Sequence, residues 1–199
     1  MVSEDITFYA KSRGGWKVTA LYVFENTTDG PVELTMGFPE FEGDNDDSFL
    51  KFKTLVRGEE VELRKAKSAN DESVDDLKRL GRVHLFDVRF DAGERLNIIH
   101  AYHYNGGGSV ALAIENTIQY VTRTGALWKG PIGRATFTIR TNDVYELVSL
   151  PEEFQVKPVR RFVIRKGDAT GMEIVLSRTN WTPKGDLFLH LVSDADSAI

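Results

Sequence analysis

The sequence contains no cysteine among its 199 residues. Disulfide bonds, a thiolate nucleophile and a cysteine-ligated zinc site are therefore excluded. Unbroken apolar runs are also short, and the run 110–114 has only five residues. A membrane-spanning helix needs about 20 consecutive apolar residues. We therefore expect no membrane span in this chain.

Basic residues are outnumbered, since 25 Lys and Arg face 30 Asp and Glu and the formal net charge is −5. A protein that binds nucleic acid presents a basic face to the phosphates. The acid excess therefore argues against a nucleic-acid partner. With 41% hydrophobic and 28% charged residues, the composition is typical of a globular protein with its own core.

Hydrophobic residues recur with period two along most of the chain, which is typical of β-strands. In the run 17–24, for example, Val18, Ala20, Tyr22 and Phe24 share one face. The run 32–38 predicts a strand that ends before Pro39, since proline cannot donate to a sheet ladder. The fold class that follows is all-β.

The number and spacing of the strands favour two immunoglobulin-like antiparallel β-sandwiches. The glycine-rich segment 105–109 is the best candidate linker. It predicts an N-terminal sandwich over 1–105 and a C-terminal sandwich over 109–199. One large two-sheet sandwich is the alternative. A single short surface helix is predicted near 70–80, where a polar segment with helical spacing ends at a glycine.

Two groups of side chains suggest metal binding. His100 and His103 lie three residues apart on a predicted strand, so they point to opposite faces and cannot share one ion without a bulge. The acidic segment that contains Glu42, Asp44, Asp46 and Asp47 resembles an oxygen-rich calcium loop, but the glycine and the final glutamate of such loops are missing. A solvated hairpin loop is the favoured interpretation, and we predict no metal site.

The chain has no phosphate loop, nucleophile elbow, zinc-protease pair or dinucleotide fingerprint. We therefore predict a protein that is not an enzyme and needs no cofactor. The alternative is a hydrolase that cleaves polysaccharide or peptidoglycan through a carboxylate pair. Such a pair leaves no trace in sequence, because the separation of the two groups is set by the fold.

The most unusual stretch is 120–133, which contains three glycines, a proline, a tyrosine and a tryptophan between two strand-like runs. Its candidate binding residues are Tyr120, Arg123 and Trp128, although large aromatic residues more often fill cores. Its glycines, at 125, 130 and 133, suggest positive φ angles, and Pro131 suggests a turn. We expect Trp128 to fill the seam between the two halves of the chain.

The motif Tyr120-x4-Gly125-x2-Trp128-x-Gly130-x-Ile132-Gly133 resembles the bacterial exported family of unknown function numbered 4424. The resemblance extends to Tyr-Val-Phe-Glu-Asn at 22–26, Gly-Phe-Pro-Glu at 37–40, Phe-Asp-Ala-Gly-Glu at 90–94, and Asn-Trp-Thr-Pro at 180–183 with Asp-Leu at 186–187. The first half is also similar to the vault/inter-α-trypsin type of β-sandwich.

Resemblance to an exported family implies a periplasmic or secreted protein, although residues 1–5 do not form a signal peptide. A leader removed from the chain would reconcile the two. We therefore predict a binding or structural role in the bacterial cell envelope. The partner would be a protein or a glycan that the sequence does not identify.

Overall fold

The fold was analysed in a computed structural model. The structure describes residues 1–11, 15–41, 49–67, 80–104, 115–142, 145–149, 154–158, 160–163 and 170–193. Three of the sequence predictions fall outside these residues: the helix near 70–80, the linker segment 105–109 and the acidic loop 42–47.

Within the described ranges the chain forms fifteen strands and one short 3-10 helix, Arg123–Leu127. The strands of the first half are β1 Ser3–Ala10, β2 Trp16–Glu25, β3 Val32–Phe41, β4 Leu50–Val56, β5 Glu59–Glu60, β6 Arg64–Lys67, β7 Leu80–Phe90 and β8 Arg95–Tyr104. Those of the second half are β9 Glu115–Tyr120, β10 Ile132–Arg140, β11 Tyr145–Ser149, β12 Gln155–Val156, β13 Arg160–Val163, β14 Thr170–Trp181 and β15 Leu187–Ser193. The all-β prediction is confirmed.

Nine strands form one main sheet, in the order β12-β14-β10-β1-β2-β8-β4-β5, with β13 also paired to β14. Two three-stranded sheets accompany it. We call β3-β7-β6 the N-terminal cover sheet and β11-β15-β9 the C-terminal cover sheet. Strand pairs are antiparallel except β1 and β10, which run parallel from Ser3 opposite Arg134 to Tyr9 opposite Arg140.

The parallel pair joins strands that come from opposite ends of the sequence. Strands on both sides of the predicted boundary at 105–109 therefore lie side by side in the main sheet. The division into units 1–105 and 109–199 stays a prediction about folding units. What the structure establishes is that the two regions share one continuous hydrogen-bonded sheet.

Both cover sheets pack on the same face of the main sheet. Strand β2 shows this, because side chains of the same parity enter both cores. Trp16, Val18 and Ala20 belong to the larger core, which includes the C-terminal cover sheet. Phe24 belongs to the smaller core, which includes β3 and β7 of the N-terminal cover sheet. The opposite face carries exposed ion pairs such as Arg134–Asp5, at 3.0 Å.

The prediction that β3 ends before Pro39 is wrong. The strand continues to Phe41, and its register against β7 shifts between Pro39 and Phe41. Strand β3 lies at the edge of its sheet, where a missing N–H leaves no ladder bond unmade, and irregular pairing at an edge accommodates proline. The strand therefore tolerates a residue that would interrupt a central strand.

Candidate functional site

A small cavity lies where the two cover sheets meet over the main sheet. Its volume is about 60 Å³. Its lining comes from both cover sheets, from β1, β2 and β8 of the main sheet and from the segment after β9. The residues are Met1, Glu4, Tyr22, Phe24, Met36, Gly37, Phe38, Pro39, Phe49, Phe86, His100, Tyr102, Tyr120, Val121, Thr122, Thr124, Gly125 and Trp128. We call it the junction cavity.

Glu4 is the acidic residue among the described lining residues of the junction cavity. Strand alternation turns it inward, on the same face as the fully buried Ile6 and Phe8. Glu4 is only 3% exposed, and its Oε1 has no hydrogen-bond partner. Burial, with a smaller contribution from the charge of Asp5, raises the pKa of Glu4 to about 8. At neutral pH its carboxyl group is therefore largely protonated.

Two tyrosines from different sheets meet beside this carboxyl group. The hydroxyl groups of Tyr22, on β2, and Tyr120, on β9, share a hydrogen bond. Burial raises the pKa of both phenols well above the ordinary value, and the charge of Glu4 contributes to each shift. The ring of Tyr120 also packs edge-on against Phe8, at 5.8 Å between ring centroids. Both phenols are therefore neutral and fixed in position.

His100 closes another side of the junction cavity. Its Nδ1 lies 2.8 Å from Oγ1 of Thr54, and its ring lies 4.5 Å from that of Phe38. Burial, assisted by the nearby His84, lowers the pKa of His100 to about 3. The imidazole is therefore neutral. His103 lies on the opposite face of β8, as the strand alternation predicts.

A second buried pair lies next to this wall. His84 Nε2 contacts a carboxylate oxygen of Glu40, and both side chains are almost completely buried. Phe52 stacks on His84 at 4.0 Å between ring centroids and lies 5.5 Å from His100. Burial, with smaller contributions from the charges of Lys65 and Arg82, lowers the pKa of His84 although its Glu40 partner acts to raise it. In the part of the chain that the structure describes, no three His, Asp or Glu side chains form a metal site.

The segment after β9 is held by Asp186. This side chain is 1% exposed, accepts a 2.9 Å hydrogen bond from Nε of Arg123 and also receives the backbone N–H groups of Thr122 and Arg123. The buried Asp186 carboxylate therefore fixes the start of the 3-10 helix, because it binds both the backbone and the guanidinium of Arg123.

Only one of the three conspicuous glycines in 120–133 has the predicted positive φ, namely Gly130 at 79°. The other two are required by close approach. A Cβ at Gly133 would lie 2.5 Å from the carbonyl oxygen of Val2, and one at Gly125 would lie 2.9 Å from Cδ1 of Ile132. The positive-φ prediction is therefore wrong for Gly125 and Gly133, because their role is to admit neighbouring chain segments.

Trp128 lies between the junction cavity and a larger surface groove. It is half-buried, and its ring packs on Phe24 at 4.6 Å between centroids. We call the outer depression, of about 390 Å³, the Trp128 groove. Its lining residues are Met1, Val2, Phe24, Glu25, Asn26, Thr27, Thr28, Val32, Leu34, Phe90, Trp128, Lys129, Gly130 and Pro131.

One wall of the Trp128 groove is a rigid turn. The side-chain amide of Asn26 donates to the carbonyl oxygens of Gly30, at 2.8 Å, and Asp91, at 2.9 Å. Its side-chain oxygen accepts both the backbone N–H and the hydroxyl of Thr28. Every hydrogen-bonding atom of this amide is thus engaged. The turn between β2 and β3 is preorganised before any ligand arrives.

The structure brings together two of the three binding residues predicted from sequence. Tyr120 and Trp128 both line the junction cavity, whereas Arg123 pairs with Asp186. Sequence reasoning missed Glu4 and considered His100 only as a metal ligand. For Glu4 a signal was present, because the alternation of Ile6 and Phe8 assigns a carboxyl group to the inward face.

Residues 104–187 match the family described as Domain of unknown function (DUF4424). The predicted family resemblance is therefore confirmed over the region that contains the 120–133 motif. No curated protein sequence matches the chain. The likeness to the vault/inter-α-trypsin sandwich stays a prediction.

A solved structure shares the fold. It is a protein from Legionella pneumophila described as a proposed nutrient-binding protein, matched with a TM-score of 0.77 at 20% sequence identity. The match covers 96% of the present chain, which spans 66% of the length of the Legionella chain. In the described residues no helix is long and apolar enough to cross a membrane.

Proposed function

We propose that the protein is a non-catalytic binding protein of the bacterial cell envelope and that the Trp128 groove holds its ligand. The partly exposed Trp128 carries this proposal, because a large aromatic ring lies at the edge of a concave surface. At about 390 Å³ the groove lies in the size range of small-molecule sites, roughly 300–1,000 Å³. The ligand class that fits best is a glycan.

The groove has the two features that sugar recognition needs. Trp128 with Leu34 and Pro131 provides an apolar surface, and the polar residues Thr27 and Thr28 line the same depression. A sugar ring presents both C–H faces and hydroxyl groups, so an aromatic plane beside fixed polar groups matches it. The fold shared with a proposed nutrient-binding protein supports a binding role.

The charges of the groove support a non-catalytic role. The described lining of the groove contains one acidic residue, Glu25, whose carboxylate pairs with Arg95 at 3.2 Å. A hydrolase of the acid-pair type needs two carboxyl groups about 5–10 Å apart across the scissile bond. The described lining of the groove provides one, and the described lining of the junction cavity also provides one, Glu4.

A glycan array followed by titration calorimetry tests the groove. We expect the purified protein to retain a defined set of envelope glycans and Trp128→Ala to weaken their binding about tenfold or more, since aromatic anchors dominate such contacts. Leu127→Ala is the matched control, because Leu127 is 62% exposed and lies outside the groove lining. Equal glycan affinities of Trp128→Ala and the wild type would disprove the groove assignment. Failure of the protein to bind any glycan on the array would disprove it as well.

Export is a separate part of the proposal. It is supported by the match of residues 104–187 to DUF4424, together with the export that the sequence resemblance implies. Fractionation of cells that express the native gene at its natural level would test it. We expect the protein in the periplasmic or extracellular fraction, and its recovery with a cytoplasmic marker enzyme would overturn the envelope assignment.

A further inference from the structure

The Trp128 groove leaves one feature unexplained, the buried carboxyl group of Glu4. Its Oε1 has no hydrogen-bond partner although the residue is only 3% exposed. Buried polar atoms in proteins are nearly always partnered, and an unpartnered buried acid is strongly unfavourable. Such a group, lining a cavity, has the properties of a site that is completed by a ligand.

Aromatic rings surround the same space. Eight of the described lining residues are Phe, Tyr or Trp, namely Tyr22, Phe24, Phe38, Phe49, Phe86, Tyr102, Tyr120 and Trp128. The faces of aromatic rings attract cations, and cages of such rings recognise ammonium groups in particular. A carboxylate inside an aromatic lining therefore favours a positively charged organic group over an anion or a neutral ligand.

Geometry favours an ammonium group over a metal ion. Calcium takes six to eight oxygen ligands and magnesium needs six in an octahedron, whereas the described lining contributes a single carboxyl group and no described cluster could hold a metal. A volume of about 60 Å³ has room for a small group, since one water needs only about 10–15 Å³ measured in the same way.

We propose that the junction cavity binds the protonated end of a small primary amine, with the ammonium group on the carboxylate of Glu4 and the aromatic rings around it. The proposal goes beyond glycan binding in the groove and does not depend on it. The cavity adjoins the Trp128 groove, because Met1, Phe24 and Trp128 line both spaces.

Amine binding in this cavity is coupled to proton release. Burial keeps Glu4 protonated below pH about 8, so an arriving ammonium ion must displace that proton. The titratable groups that face Glu4 do not compensate: Tyr22 and Tyr120 stay neutral because burial raises their pKa, and His100 stays neutral because burial lowers its pKa. Asp5, the next residue on β1, pairs with Arg134 on the other face. Burial lowers the pKa of the Met1 amino group although the charge of Glu25 raises it, so this group loses its positive charge as the pH rises and does not stabilise the ionised Glu4.

The direct test is calorimetric titration with methylammonium chloride at pH 6, 7, 8 and 9, at constant ionic strength. We expect affinity to rise about tenfold from pH 6 to pH 7 and to level off above pH 8, where Glu4 is ionised in the free protein. The amine itself stays protonated across this range, with a pKa near 10 like that of a lysine side chain. Methanol, the neutral analogue, should not bind.

Two further measurements assign the effect to Glu4. Glu4→Gln keeps the shape and should abolish methylammonium binding, whereas Glu59→Gln, which removes an exposed carboxylate on β5, should leave it unchanged. Titration of the wild type in two buffers of different ionisation enthalpy should show the release of nearly one proton at pH 7. That measurement needs no variant and remains decisive if Glu4→Gln fails to fold.

Three results would overturn the proposal: absence of methylammonium binding at pH 8–9, equal affinity at pH 6 and pH 8, or binding retained by folded Glu4→Gln. The outcome is separable from that of the groove. Glycan binding that fails while methylammonium binds would disprove the groove assignment alone, and the reverse result would disprove the cavity assignment alone.

Discussion

The two cores of the molecule differ in how completely they are closed. The larger core, beneath the C-terminal cover sheet, is almost entirely inaccessible, with Phe8, Ala135, Phe137 and Ile139 each at 0% exposure. In the smaller core, beneath the N-terminal cover sheet, most residues keep 2–7% exposure. The smaller core also packs against half-buried residues, Trp128 among them.

Among the described residues, two buried histidines and two buried glutamates lie in or beside the N-terminal cover sheet, whereas the buried Asp186 lies on the C-terminal side. His84 and Glu40 pair within the N-terminal cover sheet, His100 contacts Thr54 beneath it, and Glu4 lies where the two cover sheets meet. Closed apolar packing stabilises a fold but offers no surface to a ligand. The C-terminal core therefore holds the molecule together, while the open margin of the N-terminal core provides the concave sites.

The largest effect should separate the two cores. Phe137→Ala is expected to lower the free energy of unfolding by about 3–5 kcal/mol, because it empties a site with no route to relaxation. Phe86→Ala, in the smaller core, should have a lower cost because its looser surroundings can collapse inward. Urea denaturation of both variants measures this. Equal losses would contradict the contrast between a closed and an open core.

A second prediction concerns the junction. The pKa of Glu4 is raised from 4.5 to about 8, so between these values folding takes up a proton and stability falls as pH rises. The total loss is about 5 kcal/mol, at about 1.4 kcal/mol per pKa unit. Glu4→Gln should remove this loss, so the variant should exceed the wild type in stability at pH 8 by more than at pH 5.

Thermal unfolding of the two proteins across pH 5–8 provides the check. The difference between them cancels the contribution of His100, which acts in the opposite direction: its lowered pKa causes stability to fall as pH drops below 6.5. A difference between wild type and Glu4→Gln that does not change with pH would show that the Glu4 carboxyl group is not held protonated by burial.

The parallel contact between β1 and β10 should be sensitive to a single methyl group. Gly133→Ala would place a Cβ 2.5 Å from the backbone oxygen of Val2, and a backbone atom cannot rotate away. We expect a loss of about 1–3 kcal/mol, the usual cost of overpacking. Gly185→Ala is the control, because nothing lies within 4 Å of its Cβ. Equal melting temperatures for the two variants would refute the close approach.

The smallest expected stability effect is at Trp128. Because the ring is half-buried, Trp128→Ala should lower the free energy of unfolding by only about 1–2 kcal/mol, below the 3–5 kcal/mol of a fully buried tryptophan. Trp181→Ala, whose ring is 3% exposed, provides the upper reference in the same denaturation series. A loss at Trp128 as large as that at Trp181 would mean that its role is packing and would weaken the groove proposal.

Particular residues show how far sequence reasoning reached. Alternation identified the strands, and the unusual composition of 120–133 identified Tyr120 and Trp128, which both line the junction cavity. The reason for Gly133 was not accessible, because its neighbour Val2 is 131 positions away. His100 was considered only as a metal ligand, since its burial beside Phe38 depends on a strand from another sheet.

The all-β class, the inward face of each main strand and the absence of cysteine chemistry can be predicted from the sequence, because side-chain period and composition are local properties. Which strands become neighbours depends on the tertiary structure. Period two specifies the face of a strand but not its partner, so only the fold placed β1 beside β10 and brought Glu4, Tyr22 and Tyr120 to one cavity. The candidate chemistry of this protein lies in that long-range arrangement.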